Sequence, residues 1–361
     1  ALPAVACTVA ALGVLAVLGV LLVDVRPMPS PGGQAAAVGI PAGGPRIETP
    51  SVPVGPVAAS IAVPTVRGLV PVGATPGDIA VAPDGRTAII AHRAAGFVSV
   101  LDTAIDKVTA TIAVPAGPPR FVTFSPDSSR AYVTVFDDAR TVSLVAVLDT
   151  ADGALLTTIP VGQRPFAPAV TPDGSRLWVP SHDDARIDVI DTATDAVTTS
   201  IPVPASPHGV AFSADGTRAY VANHESNVVS VLDTASATPV ATIPVGTSPQ
   251  ATAVGGGQTA VANYDGGSVT IIDAAGAPVA EVPVGRTPQD VGFAPDGRYL
   301  YTADVEADTV SVVDMATRAV TATIPVCDGP TSVAAHPSGR VAYVTCVNSG
   351  EVMVLDTTAD Q

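Results

Sequence analysis

The chain has 361 residues, enough for a large core, but its 35 Pro and 32 Gly argue against long helices through most of it. Hydrophobic residues make up 47% and aromatics only 4%, so the core must be built from Val, Ile, Leu and Ala, of which the β-branched members favour strands. Asp and Glu number 33 against 17 Lys and Arg, a formal charge of −16 that lacks the basic footprint nucleic acid needs and disfavours adsorption to anionic lipid.

In chain order, residues 1–23 (ALPAVACTVAALGVLAVLGVLLV) carry no charged side chain. About 20 apolar residues span a bilayer core, so this run reads as one transmembrane anchor (or an uncleaved signal-like segment), with a cleaved signal peptide as the competing reading. The chain opens on Ala1 without an initiator methionine, which reads as a fragment or a processed chain. Residues 24–64 are rich in Pro, Gly and Ala with no sustained period, and are expected to be a disordered spacer.

From residue 65 the sequence is periodic. An acidic residue closes an apolar run at Asp102, Asp149, Asp191, Asp233, Asp273, Asp314 and Asp356, at spacings of 40 to 47 residues. Prolines open the units at Pro76, Pro119, Pro165, Pro207, Pro249, Pro288 and Pro330. A PDG-like turn recurs between them, and only the fifth unit departs, with GGG at 255–257. Each unit reads as four short strands; in the fourth they are HGVAFS, RAYVAN, VVSVLD and PVATIPV. Four strands in about 40–45 residues is the length of one propeller blade. The seventh unit ends before its fourth strand, and TVRGLVPVG at 65–73 has the fourth-strand pattern. The expected fold is therefore all-β: a seven-bladed propeller over 65–361, its last blade completed by the N-terminal strand.

The motifs RAYVAN, AYVTC, VSVLDT and TIPVG, with their PDG turns, resemble the YVTN-type β-propeller repeats of bacterial and archaeal surface proteins. The resemblance implies a seven-bladed ring, usually exported or surface-exposed. It does not imply one function, since similar blades serve lactonases, lyases, dehydrogenase subunits and binding domains.

Differences between copies are where private chemistry is sought. After the opening Pro the copies read Gly77, Arg120, Phe166, His208, Gln250, Gln289 and Thr331. The second strand ends on His92, Val135, Ser181, Asn223, Asn263, Asp304 and Cys346, followed by Arg93, Phe136, His182, His224, Tyr264, Val305 and Val347. The candidate ligand-binding set is Arg120, His182, Asp183, His208, His224, Glu225, Gln250 and Gln289. His208 and His224 are expected within reach of one ligand, while no HExxH-type spacing marks a metal site. No residue is assigned a catalytic role, and no metal or cofactor is expected. The repeated Asp-Thr pairs read as turn and capping groups. Cys327 and Cys346, both placed in the last blade, read as a disulfide pair, with two reduced thiols as the alternative.

The expected function is a binding or sensing module on the extracytoplasmic side of a membrane, held by residues 1–23 and recognising a protein or small ligand through the variable face. One form of this reading makes it the outer part of a receptor such as a bacterial Ser/Thr kinase. Two alternatives stand beside it: a lactonase- or lyase-like enzyme with its site at the channel mouth, and a structural cell-envelope protein.

Overall fold

The computed structural model describes residues 55–359. The apolar run 1–23 and the spacer up to residue 54 lie outside them; among the described residues no helix is long and apolar enough to cross a membrane. Seven antiparallel four-stranded sheets are present. Six are built from consecutive strands, and the seventh has the order Thr65–Pro71, Glu351–Asp356, Val341–Cys346, Pro330–Ala335. The N-terminal strand thus closes the last blade, in register from Thr65 opposite Asp356 to Pro71 opposite Glu351. Blade four runs Pro207–Phe212, Arg218–Asn223, Val228–Asp233 and Thr238–Pro244, close to the strands read from its sequence.

Alternation within each strand sends small and β-branched side chains into the spaces between blades. One such cluster joins Tyr301, Val310 and Val312 of blade six to Val333, Val344 and Leu355 of blade seven. The Asp-Thr pairs act as local ties. Asp102, Asp149, Asp191 and Asp233 accept backbone N–H groups two or three residues on. The threonines reach further than the expected neighbouring amides: Thr103, Thr150, Thr192, Thr234 and Thr357 each donate to a carbonyl of their own blade's PDG-type turn.

Two local irregularities place the residues that matter. In six blades the ladder between first and second strands skips at the residue after the opening Pro, as at Pro207/Val210 and Pro288/Asp290. Such a bulge re-aims side chains, here toward the central channel. In blade three Pro168, at a position where no other blade has proline, removes a further donor; the inner strand shrinks to Ala169–Val170 and Phe166 sits in irregular backbone.

Residues at the end of the expected spacer pack against the ring. Ala58 N–H donates to Ser338 O at 2.8 Å and Ile61 N–H to Thr357 O at 3.0 Å. Ser60 donates from both its amide and hydroxyl to the Asp296 carboxylate. This strap lies in the groove between blades six and seven, on the face carrying the PDG turns. The opposite face carries the channel mouth.

Candidate functional site at the channel mouth

The residues following the opening prolines and the second strands converge on a cavity of about 330 Å³. Of the sequence-predicted set, Arg120, His208, His224, Gln250 and Gln289 line it. A continuous run of rings forms one wall. Phe166 stacks on His208 with centroids 4.1 Å apart, and His208 stacks on His224 at 4.5 Å with the rings 5° from parallel. His182 backs this wall, 5.0 Å from Phe166 and 4.9 Å from His208. Tyr264 continues it past His224.

Asp183 does not face the cavity. It accepts from His182 Nδ1 at 2.7 Å and pairs with Arg140 and Arg164. Burial opposes its charge, but these partners outweigh burial and hold its carboxyl below the usual range. Glu225 sits in the single 3₁₀ turn His224–Ser226, exposed beyond the cavity wall, and touches the site only through its field on His224.

The electrostatics of the two stacked imidazoles are set by burial. Both ring nitrogens of His208 lack a partner in bonding geometry, although the Gln250 amide lies close enough to favour the protonated ring slightly. Desolvation, then the fields of His224 and His182, push His208 down to about 2, so it is neutral. His224 is lowered too, chiefly by desolvation, against the opposing pull of Asp265, and its Nδ1 is without a partner in bonding geometry. Imidazole lone pairs lie in the ring planes, and two parallel planes do not meet, so this pair cannot chelate one ion. Among the described residues no group of three or more His, Cys, Asp or Glu is disposed to hold a metal.

The cations are arranged unequally. Arg120 donates to Phe136 O and Asp138, and lies 4.5 Å above the Phe136 ring. Arg164 lies over Phe136 and Phe166 and pairs with Asp183. Arg93, by contrast, makes no side-chain hydrogen bond or ion pair among the described residues. It lies across Gly77, where a Cβ would come within 2.5 Å of the arginine side chain. Burial opposes its charge first, with Arg120 adding to that, and Asp78 is the main support.

Below the mouth the channel narrows to about 40 Å³ beside Asp78, Asp290 and Thr331. Ser332 Oγ lies 2.9 Å from Asp78 Oδ1 and 2.8 Å from Asp290 Oδ2. The Ser332 hydroxyl thus sits between the two carboxyl groups. Burial, aided by the charge of Asp290, raises Asp78 to about 6, so it takes up a proton as the pH falls toward that value.

Sequence reasoning omitted Arg93, Phe121, Phe136, Arg164, Phe166 and Tyr264 from the site. Arg93, Phe136, Phe166 and Tyr264 stand in the two variable columns that supplied the histidines, and were legible there. Arg164, one residue before the opening proline, and Phe121, two after it, stand in neither. The column ending the second strand turns inward instead. His92 bonds Ala74 O and Ser99, Asn223 bonds Ser230, and Asp304 bonds Ser311, all sealing their own blades. Cys346 belongs to that column, and is bonded to Cys327 with Cα atoms 5.7 Å apart.

Comparison with known proteins adds the following. A family model described as "Lactonase, 7-bladed beta-propeller" matches residues 190–361, just under half of the chain. No curated protein matches. The chain is similar in structure to "Kuenenia stuttgartiensis Hydrazine Synthase", with a TM-score of 0.72 and 24% identity over 80% of this chain and 97% of that one. At that identity the likeness speaks for the seven-bladed fold alone.

Proposed function

We propose that this propeller is a binding module whose channel mouth takes a small ligand with a flat body and an anionic group. The observation that carries the reading is Arg93: a cation lying in the channel with no hydrogen bond or ion pair among the described residues, supported only by the field of Asp78, beside a wall of stacked rings. Leaving such a charge unpaired is costly, and a ligand carboxylate or phosphate relieves that cost. The ring wall supplies stacking area, and the neutral His208 and His224 accept or donate hydrogen bonds without adding net charge. The reading extends to a module displayed outside the cytoplasmic membrane and tethered through residues 1–23, supported by their uncharged sequence and by the Cys327–Cys346 bridge.

Calorimetric titration with a panel of small aromatic and aliphatic carboxylates tests the site. Arg93→Gln is expected to weaken the best binder by about 10- to 100-fold, the worth of one charge-assisted bond. Unchanged affinity overturns the reading.

The match over 190–361 favours a second reading, a lactonase-like hydrolase in which His224 activates water and Arg93 holds the carbonyl oxygen. Turnover of a lactone panel that is lost in both His224→Ala and Arg93→Gln supports it. Absence of turnover, with binding intact, returns the site to a binding role.

A further inference from the structure

The GGG of the fifth blade lies on the face opposite the channel mouth. Six residues separate Phe293 from Leu300 across the blade-six turn, whereas four separate Val254 from Thr259 in blade five. Gly256 and Gly257, with φ of 56° and 73°, close the shorter turn as only glycines do readily. Beside it a cavity of about 530 Å³ lies between blades four and five, lined among others by Phe212, Tyr220, Val254, Gln258 and Ala274. The Gln258 Oε1 atom is buried there without a hydrogen-bond partner.

The rotationally equivalent groove between blades six and seven is the one filled by the chain's own strap. There the Thr357 carbonyl accepts Ile61 N–H, the Asp296 carboxylate accepts Ser60, and Thr321 donates to Ala62 O. Between blades two and three, and three and four, an arginine takes the place of the strap: Arg130 donates to Thr192 O and Arg176 to Thr234 O. Blade four carries Arg218 at that position, but it turns back to its own Asp233. Arg218 therefore still lines the groove between blades four and five, but among the described residues neither the strap nor an arginine reaches the Ala274 carbonyl, the counterpart of Thr357 O, Thr192 O and Thr234 O. Asp215, the counterpart of Asp296, uses only Oδ1 for Ser213 and Thr217, leaving Oδ2 toward the groove's edge.

We propose that the groove between blades four and five docks an extended segment of a partner protein, laid down as Val57–Ala62 is in its own groove. The segment has small apolar side chains around a serine that donates to Asp215. It carries no acidic residue, because Asp215 and Asp273 flank the groove. The chain's own strap shows that the rotationally equivalent groove between blades six and seven accepts such a backbone.

The probe is a labelled peptide of the strap sequence VAASIAVP, added to the full chain and followed by fluorescence anisotropy. Binding tighter than about 1 mM is expected, weakened roughly tenfold when the peptide serine is alanine, as befits a bond to a carboxylate. Ala274→Arg, at an exposed position, fills the groove and abolishes binding, while Asp296→Ala, which loosens the resident strap, leaves it unchanged. No binding overturns the proposal. Binding that survives Ala274→Arg, or changes with Asp296→Ala, also overturns it, because the peptide then exchanges with the strap between blades six and seven.

Discussion

At His208 burial and the neighbouring imidazoles act in the same direction, and the ring is held neutral. Its folded-state value lies far below that of an unfolded histidine, about 6.5, so below that pH the unfolded chain binds a proton that the folded chain refuses. Stability is then complete above the unfolded value and falls as pH drops through it. The slope approaches about 1.4 kcal/mol per pH unit for one such group. In His208→Gln the urea midpoint is expected to fall less between pH 7 and pH 5 than in the parent, because the raised carboxyl of Asp78 and the lowered His224 and His92 are common to both. Parallel falls in the two proteins would show that the imidazole does not titrate as its burial requires. The pairing of His208 with His224 was legible because a hairpin of known turn length fixes which residues face each other. Arg93 was less legible: its role follows from lying over Gly77, which no repeat alignment displays.

The last blade carries a covalent tie between its entering linker and its second strand. Cys327 and Cys346 are 19 residues apart in sequence, and Pro330 stands directly opposite Cys346 in the ladder. Closing a loop of that length restricts the unfolded chain by about 3 kcal/mol on the entropic account. Reduction, or replacement of both cysteines by alanine, is expected to lower stability by about that amount in urea unfolding with and without reductant. A midpoint unmoved by either would contradict it. Strands, turns and this pairing were readable because seven copies in one register fix every spacing. The strap was not readable, since VAASIA has the same small-residue texture as the spacer before it. With Ala294 two residues before the turn aspartate, where blades two, three and four have Ser125, Thr171 and Ser213, Asp296 has no local hydroxyl and accepts Ser60 instead.

For the whole ring, closure concentrates on one seam. Every other blade is continuous in sequence, but blade seven depends on Thr65–Pro71 pairing with Glu351–Asp356. The seam buries Val70 and Val72 against Val352 and Val354 in a cluster that also holds Ile79, Ile90 and Leu101 of blade one. Arg67 adds an ion pair with Asp356. That pair is partly exposed and contributes little, so the seam rests on its backbone ladder and apolar contacts. Without the strand, Glu351–Asp356 becomes a free edge of six residues, Glu351 excepted uncharged until its last position, and such an edge pairs with other chains. A chain starting at residue 55 is expected to be a stable monomer, whereas one starting at residue 73 should unfold at a lower temperature and associate. Light scattering and thermal unfolding of the two separate the outcomes. If the shorter chain remains monomeric with an unchanged melting temperature, the ring is held by contacts between blades, and the N-terminal strand is an accessory to it.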